Sequence, residues 1–248
     1  MIIYNKQLQK IFGVDIEFYK KLSRKYKILE NNGKGKEYLL NTNKLIFEGE
    51  YLNGKKNGKG KEYDEYNNII KFEGEYINGE RNGKGKEYYN DKKFKFEGKY
   101  INGIRNGKGY EYYYDGKLKF EGEYLNGKIW NGKGYQKNGK IGFEIKEGKG
   151  FIKEYYADGE IFFEGEYLNG ERNGQGKEYD YFNNDNPKFV GNYLNGEKNG
   201  KGKEYYENDQ LLFDGEYLNG KIWNGIGYNK NGNIEFEIKD GKGLVKIF

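Results

Sequence analysis

Cysteine and histidine are both missing from this 248-residue chain, and it holds one serine (Ser23), one threonine (Thr42) and one proline (Pro187). A Ser-His-Asp triad, a Cys-His pair and a zinc site built on His or Cys are therefore excluded. A phosphate-binding loop needs Ser or Thr after Gly-Lys, and no Gly-Lys here has one. Disulfides cannot form, and no Asn-x-Ser/Thr acceptor exists. Both absences lead us to expect a cytoplasmic protein, placed at most at the cytoplasmic face of a membrane. Nowhere do eighteen apolar residues run together. The opening Met1-Ile2-Ile3-Tyr4 is too short for a signal-peptide core. The formal charge of +5 comes with both signs interleaved, a weaker bias than nucleic-acid binding calls for, so no nucleic acid is expected.

What the chain does have is glycine and rings: 40 Gly, 27 Tyr, 16 Phe and 2 Trp. A composition 35% hydrophobic and 33% charged borders on that of disordered chains, but the rings fall at regular places and each can bury a large area. The string Phe-Glu-Gly-Glu-Tyr-Leu-Asn-Gly-x-x-Asn-Gly-Lys-Gly-Lys-Glu-Tyr, clean from Phe47 to Tyr63, recurs about every 24 residues. Further copies start at Phe72, Phe96, Phe120, Phe163, Phe189 and Phe213. A fixed period of this size marks a repeat architecture, which more often presents a surface than a catalytic pocket.

Within a unit, Phe47-Glu48-Gly49-Glu50-Tyr51 alternates apolar and charged residues, the period of a half-buried strand. Asn53-Gly54 and Asn57-Gly58 are expected to bracket a turn, because both residue types tolerate positive φ. Gly58-Lys59-Gly60-Lys61 then returns as the second strand, with Lys59 and Lys61 opposite Glu48 and Glu50. Gly58 and Gly60 are expected under the rings, which lie flat on bare backbone. Alternation puts Tyr63 on the lysine face, and a bulge after Gly60 would carry it across.

Residues 1–30 fall outside the period. Asp15 is placed to cap a helix running to about Lys27, with Ile16, Tyr19, Leu22 and Tyr26 as its apolar stripe. We expect it to be a lid over the first strand, with a partner-binding helix as the alternative. The array then occupies 31–248 in two similar blocks, about 31–155 and 156–248. Lys128-Ile129-Trp130-Asn131-Gly132 returns as Lys221-Ile222-Trp223-Asn224-Gly225, and Phe143-Glu144-Ile145 as Phe236-Glu237-Ile238, both 93 positions later. The apolar strand ending at Phe248 suggests end-to-end association of copies.

The pattern Phe47, Gly49, Tyr51, Gly54, Gly58, Gly60, repeated from Phe72 and later positions, resembles the MORN repeat. A bacterial-type variant of antitoxin-like proteins shares the Glu-Gly-Glu-Tyr core but more often carries Gly-x-Trp on the return strand, and ranks second. The resemblance implies an all-β chain: an elongated single-layer antiparallel sheet of stacked β-hairpins, here with the short N-terminal helix added. It also implies scaffolding at membrane–cytoskeleton junctions, binding of a peptide or helix in a groove, and contact with anionic phospholipid. Tyr stands here at the second aromatic position, where many members have Trp.

From the residues, the expected function is non-catalytic binding of a protein or peptide segment in an aromatic-lined groove. The groove residues would be Phe47, Tyr51, Phe72, Tyr76, Phe96, Tyr100, Phe120, Tyr124, Trp130, Phe163, Tyr167, Phe189, Tyr193, Phe213, Tyr217 and Trp223. The alternative is anionic phospholipid bound at a basic hairpin edge of Lys55, Lys56, Lys59, Arg81, Lys84, Arg105, Lys108, Arg172, Lys198 and Lys201. No catalytic residue, cofactor or metal is expected. The Asp158/Glu160 pair reads as a turn beside Gly159 rather than as a catalytic dyad.

Overall fold

The computed structural model describes residues 24–181 and 183–245, and every regular element among them is a strand. The chain divides into two compact units, residues 1–116 and 117–248. In the first, β1 (Lys25–Leu29), β2 (Lys34–Leu39), β3 (Leu45–Leu52), β4 (Lys55–Tyr63), β5 (Ile70–Ile77), β6 (Glu80–Tyr88), β7 (Phe94–Ile101) and β8 (Ile104–Tyr112) follow one another in chain order, each antiparallel to the last. The second unit holds β9 (Leu118–Leu125), β10 (Lys128–Tyr135) and β11 (Ile141–Ile145) as one antiparallel run. A nine-stranded sheet follows: β12 (Gly150–Tyr155), β13 (Ile161–Leu168), β14 (Glu171–Asp180), β15 (Asn183–Leu194), β16 (Glu197–Tyr205), β17 (Leu211–Leu218), β18 (Lys221–Tyr228), β19 (Ile234–Lys239) and β20 (Lys242–Val245).

Each repeat is a hairpin closed by two residues. Leu52 faces Lys55 across Asn53 (φ 49°) and Gly54 (φ 70°), the paired positive φ of a turn whose twist matches that of the strands. Asn57-Gly58 therefore does not bracket the turn. It forms a bulge in the return strand, where the register jumps between Gly49↔Gly60 and Tyr51↔Lys56. Gly58 (φ 96°) leaves the ring face, and a Cβ on it would run into the Glu50 carboxylate. Gly60 does lie under the rings: a Cβ there would strike Phe47 and come within 3.2 Å of Tyr76.

Tyr63 stays on the lysine face and donates a 2.6 Å hydrogen bond to Glu48. No bulge carries it across. The irregularity falls instead between Glu62↔Phe72 and Tyr63↔Ile70, opposite the tyrosine. The expected N-terminal helix is corrected over its last residues, because Lys25–Leu29 pair with β2 as a strand. Its positions up to residue 23, like the final residues 246–248, lie outside the described residues.

Candidate functional site

The side chains sort onto two faces of the sheet. On the ring face, Phe47, Phe72 and Phe96 lie over the glycine pairs of the hairpins and meet the tyrosines edge to face. Phe47–Tyr76 and Phe72–Tyr100 have centroids 5.2 Å apart with planes at 85° and 87°. The second unit repeats this in Phe163–Tyr193 and Phe189–Tyr217, at 86° and 89°. Edge-to-face pairs add about 0.5–1.5 kcal/mol beyond the area they bury.

A cation closes this layer. The Arg81 guanidinium lies 3.9 Å from the Phe72 centroid, and Arg105, Arg172, Lys56 and Lys198 stand likewise over Phe96, Phe163, Phe47 and Phe189 at 3.9–4.0 Å. Each cation is held by a glutamate that follows Gly-Lys or Gly-Gln-Gly-Lys on a return strand, or an equivalent one. Arg81 donates to Glu62 at 2.5 Å, and Tyr76 donates to the same carboxylate at 2.8 Å. Arg105 and Tyr100 share Glu87, and Arg172 and Tyr167 share Glu154. Lys27 and Lys56 flank Glu37 at 3.1 and 3.6 Å. Burial works to raise the carboxyls of Glu37, Glu62 and Glu87, but their cations and hydrogen bonds outweigh it and hold all three below the ordinary range. Burial, then the neighbouring carboxylate, pushes the Tyr76 and Tyr100 phenols well up.

This placement revises the groove. Phe47, Tyr51, Phe72, Tyr76, Phe96, Tyr100, Phe120, Tyr124, Phe163, Tyr167, Phe189, Tyr193, Phe213 and Tyr217 are all buried within the chain, none more than 9% exposed. They form a packed layer rather than the lining of an open trough, because cations and glutamates roof the rings of the regular units and Phe143 and Phe236 stack on Phe120 and Phe213. Of the two tryptophans, Trp130 is half-buried against Gly148, and Trp223 is exposed. The basic edge divides as well. Lys56, Arg81, Arg105, Arg172 and Lys198 are spent on the rings, while Lys55, Lys59, Lys84, Lys108 and Lys201 remain exposed.

The other face carries a ladder of alternating charge. Lys36–Glu48 and Lys61–Glu73 stand at 3.7 Å and Lys86–Glu97 at 3.4 Å. Beside the turns, an aliphatic on the first strand of each repeat hairpin breaks this polar surface. In the first unit Leu52, Ile77 and Ile101 are 49–59% exposed, on β3, β5 and β7. In the second, Leu168, Leu194 and Leu218 are 42–48% exposed, on β13, β15 and β17. Neither this row nor the glutamate clamp is picked out by reading the rings alone. The signal for both was the fixed Leu or Ile after each Tyr and the fixed Glu-Tyr closing most units. Among the described residues no cluster of His, Cys, Asp or Glu has metal-binding geometry, and no helix is long and apolar enough to cross a membrane.

No curated protein matches the chain. Among solved structures, it is similar to the crystal structure of TarM, with a TM-score of 0.30 and 14% identity, over 51% of this chain and 25% of that one. A mutant of S. aureus TarM in complex with fondaparinux, alpha-GlcNAc-glycerol and UDP gives a TM-score of 0.24 and 14% identity, over 65% and 24%. The chain thus spans about a quarter of the length of these structures. The family model of the MORN repeat matches at residues 47–65, 72–93, 96–117, 163–181 and 189–210. These are five of the seven full units, and the two left out, from Phe120 and Phe213, are the ones that run into Trp130 and Trp223. With hairpin, bulge and glycine pair in the same places in these five units, the chain is a MORN-repeat protein.

Proposed function

We propose that this protein is a non-catalytic scaffold that binds a helical protein segment along the exposed aliphatic row of its charged face. The observation that carries the reading is the spacing of Leu52, Ile77 and Ile101, one on every second strand. Two strands are about 9.6 Å apart, and seven residues of α-helix rise about 10.5 Å. An extended partner steps about 6.8 Å between side chains on one face and would miss the row. The ring layer serves as a stiff floor under this surface. The missing His and Cys, with one Ser and one Thr, support the absence of catalysis.

A three-heptad helical peptide with leucine at every seventh position is the probe. Anisotropy should show it binding wild type and lost from the triple variant Leu52→Asp, Ile77→Asp, Ile101→Asp. Equal binding to both would overturn the row. Sedimentation with anionic vesicles tests the phospholipid alternative, which is weakened because half of the basic edge is engaged over rings.

A further inference from the structure

The third hairpin, β7–β8, departs from its neighbours at three places on the charged face. In the first two hairpins the position two before the exposed aliphatic is Glu50 or Glu75. That carboxylate folds onto the bulge of the return strand and accepts from its backbone: Glu50 from the Lys59 N–H at 3.3 Å, Glu75 from the Lys84 N–H at 2.9 Å. Glu166 does the same for the Gln175 N–H at 3.3 Å. The chain's own repeats thus show that this bulge is shaped for a carboxylate.

The third hairpin has the same bulge, with Gly107 at φ 89° against 96° for Gly58 and 104° for Gly83. At the glutamate position, however, stands Lys99, which can only donate. Its stem runs past Gly107, where a Cβ would meet Lys99 Cδ at 3.4 Å. Lys99 faces Lys84 directly across β6–β7, and Lys108 lies across the bulge on β8. All three lysines are exposed. The alternation Lys34↔Glu50, Lys59↔Glu75 therefore gives way to Lys84↔Lys99. Two apolar residues join them: Ile104, 49% exposed, where the first two hairpins have Lys55 and Glu80, and Tyr110, 43% exposed, where they have Lys61 and Lys86.

We propose that the third hairpin takes a carboxylate from the bound protein segment: a Glu or Asp side chain seated at the Lys108 N–H and surrounded by the ammonium groups of Lys84, Lys99 and Lys108, with adjoining apolar residues of the partner on Ile101 and Ile104 to one side and on Tyr110 to the other. This deepens the helix-docking reading and rests on it, by naming the chemistry that fixes the register of the helix on its row. A like-charge pair across two strands costs stability when left alone, so an external anion gains what the protein's own glutamates gain in the other hairpins. Among anions, the carboxylate is favoured because three of the four other equivalent bulges hold one, the fourth, at Gly200, carrying Asn192 in its place.

The test uses the full chain and two versions of the three-heptad leucine peptide, one with Glu and one with Gln beside the leucines. Lys99→Glu restores the pattern of the neighbouring hairpins, so it should fold at least as well as wild type. The Glu peptide should bind Lys99→Glu roughly tenfold more weakly than wild type, the worth of one charge-assisted hydrogen bond. The loss should shrink as salt is raised. The Gln peptide should not distinguish the two proteins. The converse variant Glu75→Lys should tighten the Glu peptide.

Equal binding of the Glu peptide to wild type and Lys99→Glu overturns the carboxylate seat. If both peptides still respond to the aliphatic triple variant, the helix reading survives that failure. If neither does, both fall. Vesicles of phosphatidylglycerol, whose headgroup has a phosphate and no carboxylate, and inorganic phosphate are run beside the peptides. Lys99-dependent binding of these with none of the Glu peptide would replace the carboxylate by phosphate and overturn the proposal.

Discussion

Arg81 lies over Phe72, its guanidinium carbon 3.9 Å from the ring centroid. The same guanidinium donates to Glu62, which also accepts from Tyr76, so ring, cation, carboxylate and phenol form one unit. Removing the cation bares a ring that is otherwise fully buried and strands a carboxylate whose side chain is only 25% exposed. Arg81→Ala should therefore cost about 1.5–3 kcal/mol in chemical denaturation. Arg81→Lys should cost less, since Lys56 and Lys198 already serve at this place. A midpoint for Arg81→Ala equal to that of wild type would show the clamp to be ornamental.

Space and backbone strain are separable at the glycines. Gly60 has an ordinary φ, yet a Cβ on it would strike Phe47. Gly79 has φ 100°, with nothing within 4 Å of a Cβ. Gly79→Ala should lose only about 1–2 kcal/mol of left-handed strain. Gly60→Val should lose more, about 3 kcal/mol, and should also weaken the near-ultraviolet circular dichroism of the tyrosines as the rings are pushed out of register. Near-ultraviolet spectra unchanged in Gly60→Val would contradict the close seat of Phe47.

The titrating groups set both acid and alkaline limits. Glu37, Glu62 and Glu87 are held below the ordinary carboxylate value. Their contribution is complete above about pH 4.3 and is lost as pH falls through the lowered folded values. Tyr51, Tyr76, Tyr100 and Tyr167 are raised, with burial as the largest cause. Their contribution is complete below about pH 10 and is lost as pH rises beyond it. Urea midpoints should be flat between these limits and fall on both sides. Removing one clamp through Glu62→Gln should shallow the acid slope, and an unaltered slope would mean that other carboxyls control it.

The hairpins, their antiparallel stacking and Gly60 beneath the rings were legible in the sequence because strand alternation and Asn-Gly turns act over a few residues. The bulge at Asn57-Gly58 was not, since a second Asn-Gly reads locally as turn even when Asn53-Gly54 has already closed the hairpin. The fate of the rings depended on partners distant in sequence. Phe72 was known to be large and periodic, but its cover comes from Arg81 and its neighbour Tyr100 from the next hairpin. Whether such a row lines a groove or fills a core is decided by those partners, so the aromatic line alone suggested an open trough.

The two Trp units show what happens when the clamp is taken apart. Their return strand reaches the glycine pair one residue sooner, with Gly122↔Gly132 and Tyr124↔Ile129. Gly134 then stands opposite Phe120, where Glu62 stands opposite Phe47. With no carboxylate there, Ile129 replaces the cation, and Phe143 stacks on Phe120 at 6.2 Å and 19° in place of an edge-on tyrosine. A Cβ on Gly134 would fall within the Phe143 ring, so the glutamate cannot be restored without displacing it. Ile129→Arg, which moves this position towards the regular units, should therefore destabilise the protein by about 1–3 kcal/mol, because the guanidinium would be partly buried without the glutamate of its own strand that Arg105 and Arg172 find in Glu111 and Glu178. Calorimetry on that variant discriminates the two views: a raised melting temperature would mean that the cation alone, without its carboxylate, is what these ring layers need.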